Sequence, residues 1–269
     1  LAEAGVDSIG ALGSTGSYAY LNPDERARVA RLAVESTAGR VPVIVGIGAL
    51  RTRDVLIHAD NAQQAGASGV LLAPVSYQAL TDEEVFDLYK TVGRSLSVPL
   101  CVYDNPGTTH FTFSDELHGR IAQLPSVRSI KIPPVAGDLD ATRARVERLR
   151  ALIPAEVTIG ISGDPVAATG LNAGCDAWYS VLGGLFPKTA LAITRAAQAG
   201  DTNAAQAKSQ ALAPLWALYR DYGGSLRVIA TMAEITGKVS HPCLPLPLKT
   251  LQGSARERVA GVIETLSLK

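Results

Sequence analysis

Three short segments carry the residues whose types and order could do chemistry. In Val127-Arg128-Ser129-Ile130-Lys131-Ile132-Pro133-Pro134 an ammonium group interrupts an apolar, β-prone run that a proline pair then stops. The chain has seven lysines, and only Lys131 has a β-branched residue on both sides. An amine at the end of a buried strand is costly to keep charged, and its neutral form attacks carbonyl carbon to give a carbinolamine and then an imine. Tyr103-Asp104-Asn105-Pro106-Gly107-Thr108-Thr109 offers a phenol that could relay the protons those intermediates need. Gly13-Ser14-Thr15-Gly16-Ser17-Tyr18 sets hydroxyls and backbone N–H groups where they could hold a carboxylate. Each segment also has an ordinary reading: a lysine whose stem packs while its head reaches water, a tyrosine packed at a strand end, a Gly-Ser turn. The order of the three along the chain is more specific than any one of them.

The elements that must position these groups repeat. Short β-branched runs at Ser8 to Leu12, Val41 to Ile47, Gly69 to Leu72, Pro99 to Tyr103, Val127 to Ile132, Val157 to Ile161 and Ala177 to Val181 end in turn residues and alternate with helical patterns. Their starts lie roughly 20 to 35 residues apart, the size of a strand plus its crossover helix. Alternating strands and helices over 269 residues predict a parallel (β/α)8, or TIM, barrel, in which functional groups gather at the C-terminal rim. Asn22-Pro23-Asp24-Glu25 and Thr81-Asp82-Glu83-Glu84 are helix starts. Seven strands are counted, and Leu1 to Gly5 reads as the end of a helix, so an N-terminal strand is expected to be missing from the chain. Residues 1–187 are assigned to the barrel, and 188–269 to an alanine-rich extension of three or so helices in the same domain.

Composition narrows the partners. Basic and acidic residues balance at 25 each and no run of like charge occurs, which argues against nucleic acid or an anionic membrane and for a small-molecule substrate. No apolar stretch is long enough to span a bilayer and no secretory leader is visible. Cys101, Cys175 and Cys243 are odd in number and widely spaced, so a reducing cytoplasm is the simplest home. The four histidines are dispersed and Gly46-Ile47-Gly48 lacks the third glycine of a dinucleotide fingerprint, so neither a metal nor another cofactor is expected.

The Gly-Ser-Thr-Gly loop, Pro42 to Gly48, Tyr103 to Pro106, Ile130-Lys131, Ser162-Gly163-Asp164 and Ser180 to Pro187 together resemble the dihydrodipicolinate synthase and N-acetylneuraminate lyase superfamily, over essentially the whole chain. That resemblance implies a class I, Schiff-base lyase or aldolase, with a C-terminal helical extension, no cofactor and a homotetrameric or dimeric assembly. It makes Lys131 the Schiff-base residue for pyruvate or a related 2-oxo acid, with an aldehyde as possible second substrate. Tyr103 becomes the proton shuttle, and Gly13, Ser14, Thr15, Gly163 and Tyr179 substrate-binding positions. The chain also departs from the family pattern. Ser17-Tyr18 replaces the usual Glu after Gly16, and Thr108 stands where the synthases have an Arg for the second substrate's carboxylate. Asp104 replaces Asn and places a negative charge beside the shuttle, while Ser76 or Tyr77 stands where a tyrosine is donated across the subunit interface. These departures leave open condensation, cleavage or dehydration of a 2-keto-3-deoxy sugar acid, and a non-catalytic 2-oxo acid binder. The glycines at Gly163 and Gly183-Gly184 keep a phosphosugar aldolase or isomerase as a further alternative.

Overall fold

Two capping boxes start helices where the sequence places them. Asn22 accepts from the Glu25 amide while Glu25 returns a bond to the Asn22 amide, and Thr81 and Glu84 do the same. The computed structural model describes residues 1–268. Its strands are β1 (Ile9–Ala11), β2 (Val43–Gly46), β3 (Gly69–Leu72), β4 (Leu100–Tyr103), β5 (Val127–Ile132), β6 (Thr158–Ser162) and β7 (Ala177–Tyr179). They pair in sequence order, every pair parallel, as a nearly closed TIM barrel. The intervening helices are α1 (Pro23–Thr37), α2 (Thr52–Gln64), α3 (Asp82–Gly93), α4 (Pro106–Thr109), α5 (Asp115–Ala122), α6 (Leu139–Arg150) and α7 (Ala167–Asn172). Helix α8 (Pro187–Gln198) follows β7, and its Arg195 grips the Asp7 carboxylate with both terminal nitrogens at 2.8 and 2.9 Å, tying the last unit to the start of β1.

Alternation along each strand divides the apolar residues into two layers. Val70, Leu72, Leu100, Val102, Ile130, Ile132, Ile159 and Ile161 belong to the main core. Leu71, Ala73, Cys101 and Tyr103 form a smaller cluster with Ile44 and Tyr179. Strands covered on both faces need near-continuous apolar runs, which is why Gly69–Leu72 and Leu100–Tyr103 are buried throughout.

The chain beyond the barrel holds more helices than expected. After α8 come α9 (Thr202–Ala211), α10 (Ala213–Asp221), α11 (Ser225–Ile235) and α12 (Gly253–Thr265), five from Pro187 onward rather than three or so. The unrecognised break is Gly200-Asp201: Gly200 takes φ +77° and Asp201 caps the next helix by accepting from the Ala204 amide. Leu212, Leu215, Leu218, Val228, Met232 and Val259 pack these helices into their own apolar cluster, joined to the barrel through Ala168, Leu182 and Phe186. No helix among the described residues is long and apolar enough to cross a membrane.

Candidate active site

Lys131 and Tyr103 are register partners on β5 and β4, so both leave the sheet at one level. In β5 the neighbours Ile130 and Ile132 go to the buried outer layer, and Lys131 is half-buried on the inner side with Ser129. The Lys131 Nζ lies 3.9 Å from the centroid of the Tyr103 ring and 5.2 Å from that of Tyr179. The electron-rich ring faces suit a cationic nitrogen.

The Gly-Ser loop meets this pair directly. Ser14 Oγ stands 3.3 Å from the Tyr103 hydroxyl and accepts from Asn105 Nδ2 at 3.3 Å. Ser14 is therefore coupled to the phenol, whereas Thr15 is exposed on the same short 3-10 turn and Gly13 precedes it. The Gly16 and Ser17 amides are used within the turn, donating to the Gly13 and Ser14 carbonyls at 2.9 and 3.1 Å, which leaves the Ser14 and Thr15 amides as those the loop can offer to a carboxylate. Sequence alone shows only that Asn105 lies between Asp104 and Pro106; its reach across to the loop after β1 comes from the fold.

Tyr179 faces Lys131 with its ring and turns its hydroxyl away. That hydroxyl is 2.9 Å from Ser129 Oγ and 3.2 Å from Cys101 Sγ. Burial pushes the Tyr179 hydroxyl and the Cys101 thiol up, so both stay protonated through the neutral range. The ring fits only because Gly160 has no side chain: a Cβ there would come within 2.3 Å of Tyr179 Cε2. A glycine inside a strand signals such a close approach.

Gly163 takes φ +89°, and a Cβ on it would lie 2.6 Å from Pro134 Cγ, so the β6 rim requires glycine on two counts. Asp164, next in sequence, is buried and accepts from Trp178 Nε1 at 3.1 Å and from the Val181 and Leu182 amides at 3.0 and 2.7 Å. Burial pushes its carboxyl up. These amides at the end of the last strand are where a phosphate would be cradled, and a carboxylate already occupies them, which counts against the phosphosugar alternative.

Two departures from the expected pattern look different in three dimensions. Asp104 does not share the inner side with Tyr103. The side chain after Tyr103 turns to the opposite face of β4, where Asp104 Oδ2 lies 3.5 Å from Nε2 of the fully buried His118 on α5. Burial raises the Asp104 carboxyl to about 7, against the opposing pull of Arg145, and lowers His118 to about 4. Of the Ser17-Tyr18 pair that follows Gly16 where the family has Glu, both are buried, and Tyr18 lies over the Arg26 guanidinium at 5.2 Å and is pushed by burial to about 12. Arg26 in turn donates to the Gly46 and Gly48 carbonyls at 2.9 Å each, which gives the glycine pair of that motif a purely structural use. Thr108 is exposed on α4, and Tyr77 is 91% exposed on the loop after β3. Among the described residues no three His, Cys, Asp or Glu side chains gather as a metal site would require.

Comparison with known proteins identifies the family. The model of the dihydrodipicolinate synthetase family matches residues 1–266. The 4-hydroxy-tetrahydrodipicolinate synthase of Anaplasma marginale is 33% identical over 268 residues, covering 99% of this chain and 85% of the relative. The crystal structure of dihydrodipicolinate synthase from Agrobacterium tumefaciens is 43% identical, with a TM-score of 0.94, over 98% of this chain and 88% of that one. The chloride-inhibited dihydrodipicolinate synthase from Acinetobacter baumannii, complexed with pyruvate, is 25% identical with a TM-score of 0.88, over 99% and 89%. With a lysine and a tyrosine joined at the barrel rim and a match along nearly its whole length, the chain belongs to the dihydrodipicolinate synthetase family and is a lyase of that type.

Proposed function

We propose that this lyase works through a Schiff base between Lys131 and pyruvate or a related 2-oxo acid. The observation that carries this reading is the contact set Lys131–Tyr103–Ser14, an amine, a phenol and a hydroxyl within one rim of the barrel. The neutral amine adds to the C2 carbonyl, and the carbinolamine loses water as its nitrogen lone pair becomes the C=N bond. Tyr103 gives the proton that turns the departing hydroxyl into water and later takes one from C3. The resulting enamine attacks an aldehyde carbon, or in reverse a C3–C4 bond breaks and an aldehyde leaves. The Gly13-Ser14-Thr15 loop holds the carboxylate and so orients C3 for that step. The pyruvate found with the Acinetobacter relative supports the substrate class.

Thr108 supports an acceptor or product other than a carboxylate-bearing aldehyde, since a hydroxyl replaces the expected cation there. Hydroxylated 2-oxo sugar acids fit that rim. The exposed Tyr77 supports a homo-oligomer in which this loop meets a second copy, and the free thiols support a cytoplasmic setting.

Borohydride reduction in the presence of pyruvate, followed by peptide mass spectrometry, tests the reading. A reduced pyruvyl adduct on Lys131 is expected. A folded protein that gives no adduct with pyruvate or larger 2-oxo acids overturns it and returns weight to the binder.

A further inference from the structure

The Lys131 nitrogen faces two aromatic rings, and only one of them belongs to the proton shuttle. Tyr179 contributes no hydroxyl to the reacting side: that group is 2.9 Å from Ser129 and 3.2 Å from Cys101. Its ring is fixed instead, by those bonds and by the space that Gly160 leaves. A side chain held at three points, with its face 5.2 Å from an amine, is placed for that amine.

We propose that Tyr179 is a positioning residue for Lys131: with Tyr103 it forms an aromatic slot that favours the cationic nitrogen of the iminium over the neutral nitrogen of the carbinolamine. This rests on the Schiff-base reading and deepens it. Nitrogen is uncharged in the carbinolamine. When the C–O bond breaks with its electron pair, and Tyr103 protonates the departing oxygen, the nitrogen lone pair closes the C=N bond and the positive charge falls on Nζ. Ring quadrupoles attract that charge as it develops, so the slot accelerates dehydration, a contribution made in the transition state rather than in substrate binding. The tether through Ser129 and Cys101 keeps the ring from turning aside, so the slot needs no rearrangement when charge appears.

The test is the rate at which a borohydride-reducible adduct forms on Lys131 at saturating pyruvate. Tyr179→Leu, which keeps a branched apolar group but no ring, should slow that rate roughly 5- to 30-fold with little change in KM. Tyr179→Phe, which keeps the ring and loses the tether, should lose less than Tyr179→Leu. Replacement of residue 179 by phenylalanines of increasing ring fluorination holds shape nearly constant and weakens the quadrupole, so the rate should fall stepwise along the series. That series also decides the matter if Tyr179→Leu does not fold. A flat series, or a folded Tyr179→Leu that matches the wild type, overturns the inference. Failure of the wild type itself to form an adduct would instead overturn the Schiff-base reading, and the two outcomes are distinct.

Discussion

Tyr103 and Asp104 are consecutive, yet they stand in two unlike regions of the barrel. On the inner side Tyr103 joins Ser14, Lys131 and the Tyr179–Ser129–Cys101 set, where each hydroxyl has a partner. On the outer side Asp104 lies 3.5 Å from His118, and Asp104 Oδ1 and both His118 nitrogens lack hydrogen bonds among the described residues. Phe113 stacks on the imidazole at 4.8 Å, which completes an apolar surround. Both regions hold buried ionisable groups, and the difference lies in their company. Inside, the Tyr103 and Tyr179 hydroxyls have polar partners and the Lys131 nitrogen has two ring faces. Outside, desolvation drives an acid and a base toward their neutral forms, because burying either as an ion without a hydrogen bond costs more than burying it uncharged.

The sharpest break of this contrast is on the inner side. Lys131→Ala should lower turnover on the order of 10³-fold or more and abolish the borohydride adduct, as measured by steady-state kinetics and mass spectrometry. Tyr103→Phe should lower kcat by roughly 10²- to 10⁴-fold while an adduct still forms slowly on Lys131, separating proton transfer from nucleophilic attack. At the end of β6, Gly163→Ala meets Pro134 and a left-handed backbone, and should cost about 1–3 kcal/mol in urea unfolding.

The outer region should respond to pH rather than in rate. The raised Asp104 carboxyl makes the folded state bind the extra proton between about 4 and about 7, so its contribution to stability falls as pH rises through that window. The lowered His118 does the opposite: the unfolded state binds more protons between about 4 and 6.5, and stability rises with pH. The two slopes offset each other in the wild type. Asp104→Asn removes the first, so its unfolding free energy should climb more steeply from pH 4 to 6.5 than the wild type's, while kcat changes less than about 3-fold. Arg145, which acts on both groups, and Asp115, which acts on His118, face the pair as well, so these should be left unaltered in the comparison. A large fall in kcat for Asp104→Asn would show that the two faces of β4 are not independent.

Much of the architecture was legible because it repeats. Seven β-branched runs match seven strands, with bounds differing by one or two residues in most: Ser8 to Leu12, Val41 to Ile47, Pro99 to Tyr103 and Ala177 to Val181 are trimmed, and Val157 to Ile161 shifts to Thr158–Ser162. Lys131 and Tyr103 could be paired from their places at successive strand ends. Thr15 could not be separated from Ser14, because two neighbouring hydroxyls in one loop differ only in which way the turn faces them. The Gly200-Asp201 helix boundary was readable by capping chemistry and was passed over within an alanine-rich run.

By itself, then, the sequence determined the alternation of strand and helix and placed two side chains, Lys131 and Tyr103, at successive strand ends. These follow from period and residue type, which are local. Tertiary structure alone decided that Gly160 makes room for Tyr179, that Asn105 reaches Ser14, and that Asp104 is buried against His118 rather than set beside Tyr103. Each of those is a contact between residues from different strands, loops or helices. Its energy depends on distance and on the exclusion of water, and no spacing along the chain encodes either one.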